Sequence, residues 1–397
     1  MKAESCGSKE AICSSVESME AELWELAVFL HDHPELSGQE ILARQELVSW
    51  LDRKGFECEL GVAGIETAFV GWGGACQRPA IAFIAEYDAL PELGHACGHN
   101  LIAASAVGAA VALATACPEL AGHICVIGTP AEEVSKLHVK QTMLDKGVFS
   151  NIDVALMMHP SDRTTTMGRN LAVDSVQFRF QGKPAHASKY PHLGASALDG
   201  AILTMTALEF LREHVRSDVR IHGIVSDGGL RANIVPEHAS LSYMVRAETR
   251  STLDEIKNRV LACAQAGALA TGTTVEIDYE KGNDNKLLLP LLSDLLLANA
   301  VDVGADQVLD PEKELGSTDF GNVSHQLPSA TLKVAFVPQG TPGHSRAWVK
   351  ASRSERARKG VSVASKAMAL TAERVLADPA LLDQIQEQFE EIRLAEG

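Results

Sequence analysis

The chain has 397 residues, 46% apolar and 22% charged, enough to bury a sizeable core and unlike a disordered or fibrous composition. At roughly 150 residues per domain, that length predicts two or three domains. Its 35 basic against 52 acidic side chains give a formal charge of −17. That balance excludes a large nucleic-acid or anionic-membrane footprint, because nothing offsets phosphate charge.

The opening segment, MKAESCGSKEAICSS, is polar and lacks the apolar core of a signal peptide. Eight scattered cysteines without a C-x-x-C pair read as reduced thiols, so the expectation is a soluble, cytoplasmic protein. Residues 18–33 carry Met19, Leu23, Leu26, Ala27 and Leu30 at helical spacing and stop before Pro34. A second helix is predicted from Glu40 to Arg53, ending near Gly55. Four short apolar runs follow as strands, over 67–72, 80–85, 124–128 and 154–158, and a fifth comes much later, over 332–337. Between them, the uncharged, alanine-rich run 101–117 reads as a tightly packed buried helix, not a membrane span. Apolar strands alternating with helices predict an α/β domain built on a mostly parallel sheet.

Residues 171–283 have another rhythm. A strand in which Val176, Phe178 and Phe180 alternate with polar neighbours precedes a helix over 195–215. A strand pair, a helix over 252–271 and a last strand follow. The order β-α-β-β-α-β is ferredoxin-like. The expectation is therefore an α/β domain, 1–170 and 284–397, split by an inserted ferredoxin-like α+β domain at 171–283.

Chemistry-bearing residues fall just after the strands of the first domain. One strand leads into Glu86, Asp88, His95, Cys97 and His99, the next into Glu132 and Glu133. Two more lead into His159 and His344. Ligands gather beyond the carboxyl ends of strands in open α/β sheets. Nitrogen, sulfur and oxygen donors of this kind suit a borderline divalent ion such as Zn²⁺. Cys97 and His99, two apart, can face one ion, and Asp88 can hold a ligand imidazole from behind. In the pair Glu132-Glu133, one carboxylate can bind metal while its neighbour handles protons. Spacing alone leaves a second reading open, in which these are hydrogen-bonded structural residues and the paired glutamates a solvated helix start.

The segments FLHDHPELSGQE (29–40), EYDALPELGHACGHN (86–100), GTPAEE (128–133), MMHP (157–160), GKPAHAS (182–188), RANIVPEHA (231–239), GSTDFGNVS (316–324) and GTPGHS (340–345) span nearly the whole chain. In this order they resemble peptidase family M-20, the aminoacylase / carboxypeptidase G group of metal-dependent amidohydrolases. The likeness is strongest to its β-alanyl-dipeptidase-like and aminobenzoyl-glutamate hydrolase-like branch. The resemblance implies a zinc-exopeptidase-like catalytic domain with an inserted lid and dimerisation domain, and hence a homodimer through 171–283. It implies metal ligands Cys97, His99, Glu133, His159 and His344, with Glu132 as general base and Asp88 orienting ligands. The ion would be zinc, with manganese or cobalt as alternatives, one or two per subunit.

His186 and Asn233 match residues that the family sends into the partner's active site, His186 to stabilise an oxyanion, and Arg246 matches a substrate-carboxylate binder. Asp319 is expected on a loop facing the pocket, where it could bind a substrate amino group. The implied activity is hydrolysis of an amide in an N-acyl amino acid or dipeptide-like small molecule. Two rivals are amide formation at the same site, by acyl transfer to an amine, and a catalytically silent binding or scaffold protein.

Two stretches depart from the family pattern. After the paired glutamates comes VSKLHVK, with Lys136, His138 and Lys140, in place of a glycine-rich loop ending in lysine. After His344 comes a basic stretch with Arg346, Lys350, Arg353, Arg356, Arg358 and Lys359. It reads first as a solvated helix face and second as a site for an anionic substrate tail. HDHPE (31–35) is expected to be structural, because Pro34 ends its helix.

Overall fold

The computed structural model describes residues 9–134, 137–311 and 316–396. In chain order its first half comprises α1 (Lys9–Asp32), α2 (Ile41–Arg53), β1 (Glu57–Leu60), β2 (Phe69–Trp72), β3 (Ile81–Ala85), α3 (His99–Ala116), β4 (Ile124–Gly128), α4 (Val139–Asp145), β5 (Val154–Ser161) and β6 (Ala172–Gln181). The second half continues with α5 (Ala197–Arg212), β7 (Arg220–Asp227), β8 (His238–Ala247), α6 (Arg250–Thr271), β9 (Thr274–Lys281), α7 (Pro290–Asp302), α8 (Phe320–Ser324), β10 (Ser329–Ala335), α9 (Arg346–Ala351), α10 (Glu355–Ala377) and α11 (Pro379–Glu396). Contacts divide the chain into two units, one of Met1–Arg169, Lys286–Glu314 and Asn322–Ala395, the other of Asn170–Asn285, Leu315–Gly321 and Glu396–Gly397.

The first unit holds a six-stranded sheet in the order β1-β2-β4-β3-β5-β10. Its last four strands are mutually parallel, as their continuous apolar runs predict. β1 and β2 add antiparallel pairs at one edge. β1, ECEL, is largely exposed, so neither an apolar run nor a clean alternation announced it. Because β4, β3, β5 and β10 run in one direction, the loops after them emerge at a common edge.

Helices α1, α3 and α10 pack on one another in this unit. The alanine-rich α3 is buried from His99 through Leu113, so its apolar character is used in core packing. Gly108 explains the close approach: a Cβ there would lie 2.7 Å from Ser365 Oγ of α10 and 2.9 Å from Leu23 Cδ1 of α1. The helix predicted over 18–33 extends back to Lys9, with Ile12 and Val16 continuing its buried face.

The basic stretch after His344 forms α9 and the start of α10. Arg353 pairs with Asp32 and Arg358 with Glu20, each at 2.8 Å, and Arg356 and Lys359 both meet Asp306. Four of its six basic residues are thus ion-paired at the surface, which favours the reading of a helix face over that of a site for an anionic tail. The HDHPE histidines are tied to backbone carbonyls outside the donor loops, with His31 Nε2 3.0 Å from Val349 O and His33 Nδ1 2.8 Å from Phe29 O.

The second unit carries a four-stranded antiparallel sheet in the order β7-β8-β6-β9, with α5 and α6 packed together. Its core comes from alternate residues, Val176, Phe178 and Phe180 on β6 and Leu241, Tyr243 and Val245 on β8. Arg250 anchors the ends of the insertion, donating to both carboxylate oxygens of Asp174 at 2.9 Å and to Asn283 O at 3.0 Å. At the edge, β7 leaves Ile224 64% exposed.

Candidate metal centre

The loops after β3 and β4, the end of β5 and the loop after β10 bring the predicted donors together inside the first unit. Gly98 makes the first turn possible. It sits at φ +83°, and a Cβ there would approach Pro160 Cγ to 2.9 Å, so Cys97 and His99 can flank a bend that other residues resist. His99 opens α3, fully buried, and its Nδ1 lies 2.8 Å from Asp88 Oδ1. That contact turns Nε2 inward. His159 lies within β5, which runs three residues past the predicted strand end, to Ser161. His344 sits at φ +52°, its N–H donating to Ala96 O at 3.1 Å, and Ser345 caps α9 immediately after it.

Within the first unit, three overlapping groups of ligand atoms result, each with all its atoms within 4.8 Å of one another: Cys97, His99 and His159; Cys97, Glu133 and His344; His99, Glu132 and Glu133. Cys97 Sγ is 3.6 Å from His159 Nε2, and Glu133 Oε1 is 3.6 Å from His344 Nε2 and 3.9 Å from His99 Nε2. His99 Nε2 and Glu133 Oε1 are buried without a hydrogen-bond partner. Buried polar atoms are rarely left so, and two of them converging with a thiol and two further imidazoles fit a cation cradle.

The donors differ in their electrostatics. Burial opposes the charge of His99, but Cys97 and Asp88 outweigh it and raise His99 well above the ordinary imidazole range, so its Nε2 must lose a proton to bind a cation. Burial, and then the charge of Lys333, lowers His159 to about 4, keeping a neutral imidazole with a lone pair to donate. Burial pushes the Cys97 thiol up to about 12, so it ligates only when a cation offsets that penalty; coordination to a metal deprotonates a thiol outright. Asp88 is also buried, yet the charge of His99 and hydrogen bonds from His99, Glu133 N–H and Ser37 outweigh burial and hold it well below the usual carboxylate range. Glu132 keeps 12% of its side chain exposed, with Oε2 3.9 Å from His99 Nε2.

Sequence reasoning missed one pair. Lys140, the last residue of VSKLHVK, is fully buried with Nζ 2.8 Å from Glu86 Oε1, and Glu86 Oε2 lies 3.8 Å from His99 Nε2. Burial opposes the Glu86 charge, but Lys140, His99 and His159 overcome it and hold the carboxyl below its ordinary range. The expected extra basicity of this loop is therefore partly neutralised within the site. The signal was a lysine on the helical face that buries Val139 and Met143. Lys136 lies outside the described residues.

The remaining predicted residues belong to the second unit. His186 and Asn233 are both exposed and share one structure: Ala187 N–H donates to Asn233 O at 3.1 Å, and His186 bridges to Ile234. Arg246 on β8 is half-buried, and its Nη1 donates to Ser317 Oγ at 3.2 Å. Burial lowers its pKa. Asp319 is buried in the short segment grouped with this unit.

A parallel-edged α/β unit with a nitrogen, sulfur and carboxylate cradle, carrying an inserted ferredoxin-like unit, defines a metallohydrolase. Residues 172–271 match the peptidase dimerisation domain of the M20 family. The Xaa-Arg dipeptidase of Mus musculus is 35% identical, covering 90% of this chain and 86% of its own. One of the subunits of p-aminobenzoyl-glutamate hydrolase from Escherichia coli is 29% identical, covering 96% of this chain and 94% of its own. A solved dinuclear metal-binding peptidase of the M20 family from Bacillus subtilis superposes with a TM-score of 0.71 at 21% identity, over 91% of this chain and 99% of its own. The chain belongs to the M20 peptidase family.

Proposed function

We propose that this metal-dependent amidohydrolase cleaves an amide joining an acyl or aminoacyl group to an amino acid, with Glu132 as general base. The carrying observation is the cradle itself: Cys97, His99, Glu133, His159 and His344 converge, with His99 Nε2 and Glu133 Oε1 buried without a hydrogen-bond partner, beside a glutamate that keeps solvent access. A divalent ion held there supplies Lewis acidity, lowering the pKa of water toward neutrality and polarising an amide carbonyl. Glu132 accepts the proton of the attacking water and returns it to the leaving nitrogen. Asp88 fixes the tautomer of His99 through the 2.8 Å contact to Nδ1. Zinc is the ion that the mixed thiol, imidazole and carboxylate donors favour. Cys97, His99 and Glu133 each belong to two of the donor groups, so the cradle has donors enough for two ions.

The relatives named for Xaa-Arg and for p-aminobenzoyl-glutamate support an amino acid on the amine side. Arg246, half-buried with a hydrogen bond to Ser317, suits the carboxylate of such a substrate, and Asp319 suits an amino group. The insertion pairs two copies of the chain, so that His186 and Asn233 of one copy serve the other, His186 stabilising the oxyanion. The exposed apolar residues of β7 support such pairing. The eight scattered cysteines, read as reduced thiols, favour the cytoplasm as the working compartment.

The test is Glu132→Gln with zinc content measured alongside turnover on a panel of dipeptides and N-acyl amino acids. The expected result is metal retained at the parent level and turnover reduced by about 10²-fold or more. Brisk turnover by this variant sinks the assignment.

A further inference from the structure

The segment PELSGQE (34–40) belongs to the stretch that resembles the family yet supplies none of the donors above. The structure stitches it to the metal loops at three points. Ser37 Oγ donates to Asp88 Oδ2 at 2.7 Å. Glu40 Oε1 accepts from Ala131 N–H at 2.9 Å and from Gly38 N–H at 2.8 Å. Glu35 accepts Ala89 N–H on its backbone carbonyl at 2.8 Å. Its carboxylate receives Leu42 N–H at 3.1 Å and Ala43 N–H at 2.8 Å, tying the segment to the first turn of α2.

These contacts hold a strained turn. Ala131 immediately precedes Glu132 and Glu133 and sits at φ +60°, a left-handed conformation that an alanine resists. Such strain persists only where the surroundings impose it. Glu40 is fully buried and binds the Ala131 N–H directly. Two residues on, Glu133 N–H donates to Asp88 Oδ2 at 2.9 Å, the oxygen that also receives Ser37. The turn carrying both glutamates is thus pinned at each end, at Ala131 by Glu40 and at Glu133 by an aspartate that Ser37 holds. The other oxygen of that aspartate orients His99.

We propose that residues 35–40 are a positioning clamp for the metal donors, with Glu40 and Ser37 as positioning residues that set the placement of Glu132, Glu133 and His99. The clamp acts through geometry. Glu40 imposes the left-handed turn at Ala131, and Ser37 fixes the rotamer of Asp88. This inference rests on the reading of Glu132 and Glu133 as base and ligand.

The experiment measures Zn²⁺ dissociation constants by equilibrium dialysis, with kcat and KM, for Glu40→Ala, Glu40→Gln, Ser37→Ala and the double variant Glu40→Ala/Ala131→Gly. Folding is monitored by circular dichroism. Glu40→Ala is expected to weaken Zn²⁺ binding by about 10- to 100-fold, the range for outer partners of metal ligands, and to lower kcat more than it changes KM. Glu40→Gln retains an oxygen that can accept both N–H groups and should stay near the parent. Adding Ala131→Gly frees the turn of its strain and should recover part of the loss. Ser37→Ala is expected to weaken Zn²⁺ binding in the same direction and by less, and it keeps the test alive if Glu40→Ala does not fold.

Parent-like Zn²⁺ binding in folded Glu40→Ala, Glu40→Gln as damaged as Glu40→Ala, or no recovery in the double variant would each overturn the clamp. So would parent-like binding in Ser37→Ala where Glu40→Ala is unfolded. Inactive Glu132→Gln beside an unaffected Glu40→Ala removes the clamp alone, whereas active Glu132→Gln removes the reading beneath it.

Discussion

The two units differ in how far they bury their candidate residues. In the first, Glu86, Asp88, His99 and Lys140 are buried and wired to one another, and the donors converge within a single unit. In the second, Asp319 is buried and Arg246 half-buried, but His186 and Asn233 stand in solvent and the edge strand exposes apolar side chains. A buried polar cluster survives only when its partners are present, so the first unit must carry its chemistry nearly whole. Exposed residues carry no such penalty and can wait for a substrate or a second copy of the chain.

That contrast can be broken most directly at Cys97. Cys97→Ala removes the sulfur shared by two donor groups and should cost more Zn²⁺ affinity than the about 100-fold upper range for losing an outer partner, as read by equilibrium dialysis. Retained affinity would mean that the first unit does not depend on this cradle. Arg246→Ala sharpens the other side. Metal content should hold, while KM for substrates with a free carboxylate rises about 10- to 100-fold, the worth of a charged hydrogen bond, and KM for the matching amides stays put. A fall in bound metal would erase the distinction. The smallest effect tests the frame beneath the site. Gly108→Val forces a branched side chain against Ser365 and Leu23 and should destabilise the first unit by about 1–3 kcal/mol in denaturant melts, with the midpoint unchanged if α1 and α10 can shift aside.

Much of the metal edge was legible because it follows from chain direction. Parallel apolar strands put their carboxyl ends together, so donors placed after each strand had to meet. The Cys97-x-His99 spacing needed only a glycine between them, and Gly98 is there. The insertion was legible in β6, where alternation fixes one buried face.

Other features had no local signature. β1 is short and largely exposed, so neither apolar run nor alternation marked it. The basic stretch 346–359 read first as a solvated helix face, but nothing local announced that Asp32, Glu20 and Asp306, remote in sequence, would pair with four of its charges. Lys140 read as added basicity beside the glutamates, but burial against Glu86 gives that charge a partner. Glu40 and Ser37 were hidden for the same reason: a carboxylate and a hydroxyl near a proline say nothing of the loops they hold until those loops arrive.

By itself the sequence determined the class of both units and the donor types placed at the strand ends, because periodicity and residue type are local properties. Only the tertiary structure decided which charges neutralise each other and which backbone turn a buried carboxylate holds in place. Those outcomes depend on distance and desolvation between segments far apart in the chain, and no spacing within one segment encodes them.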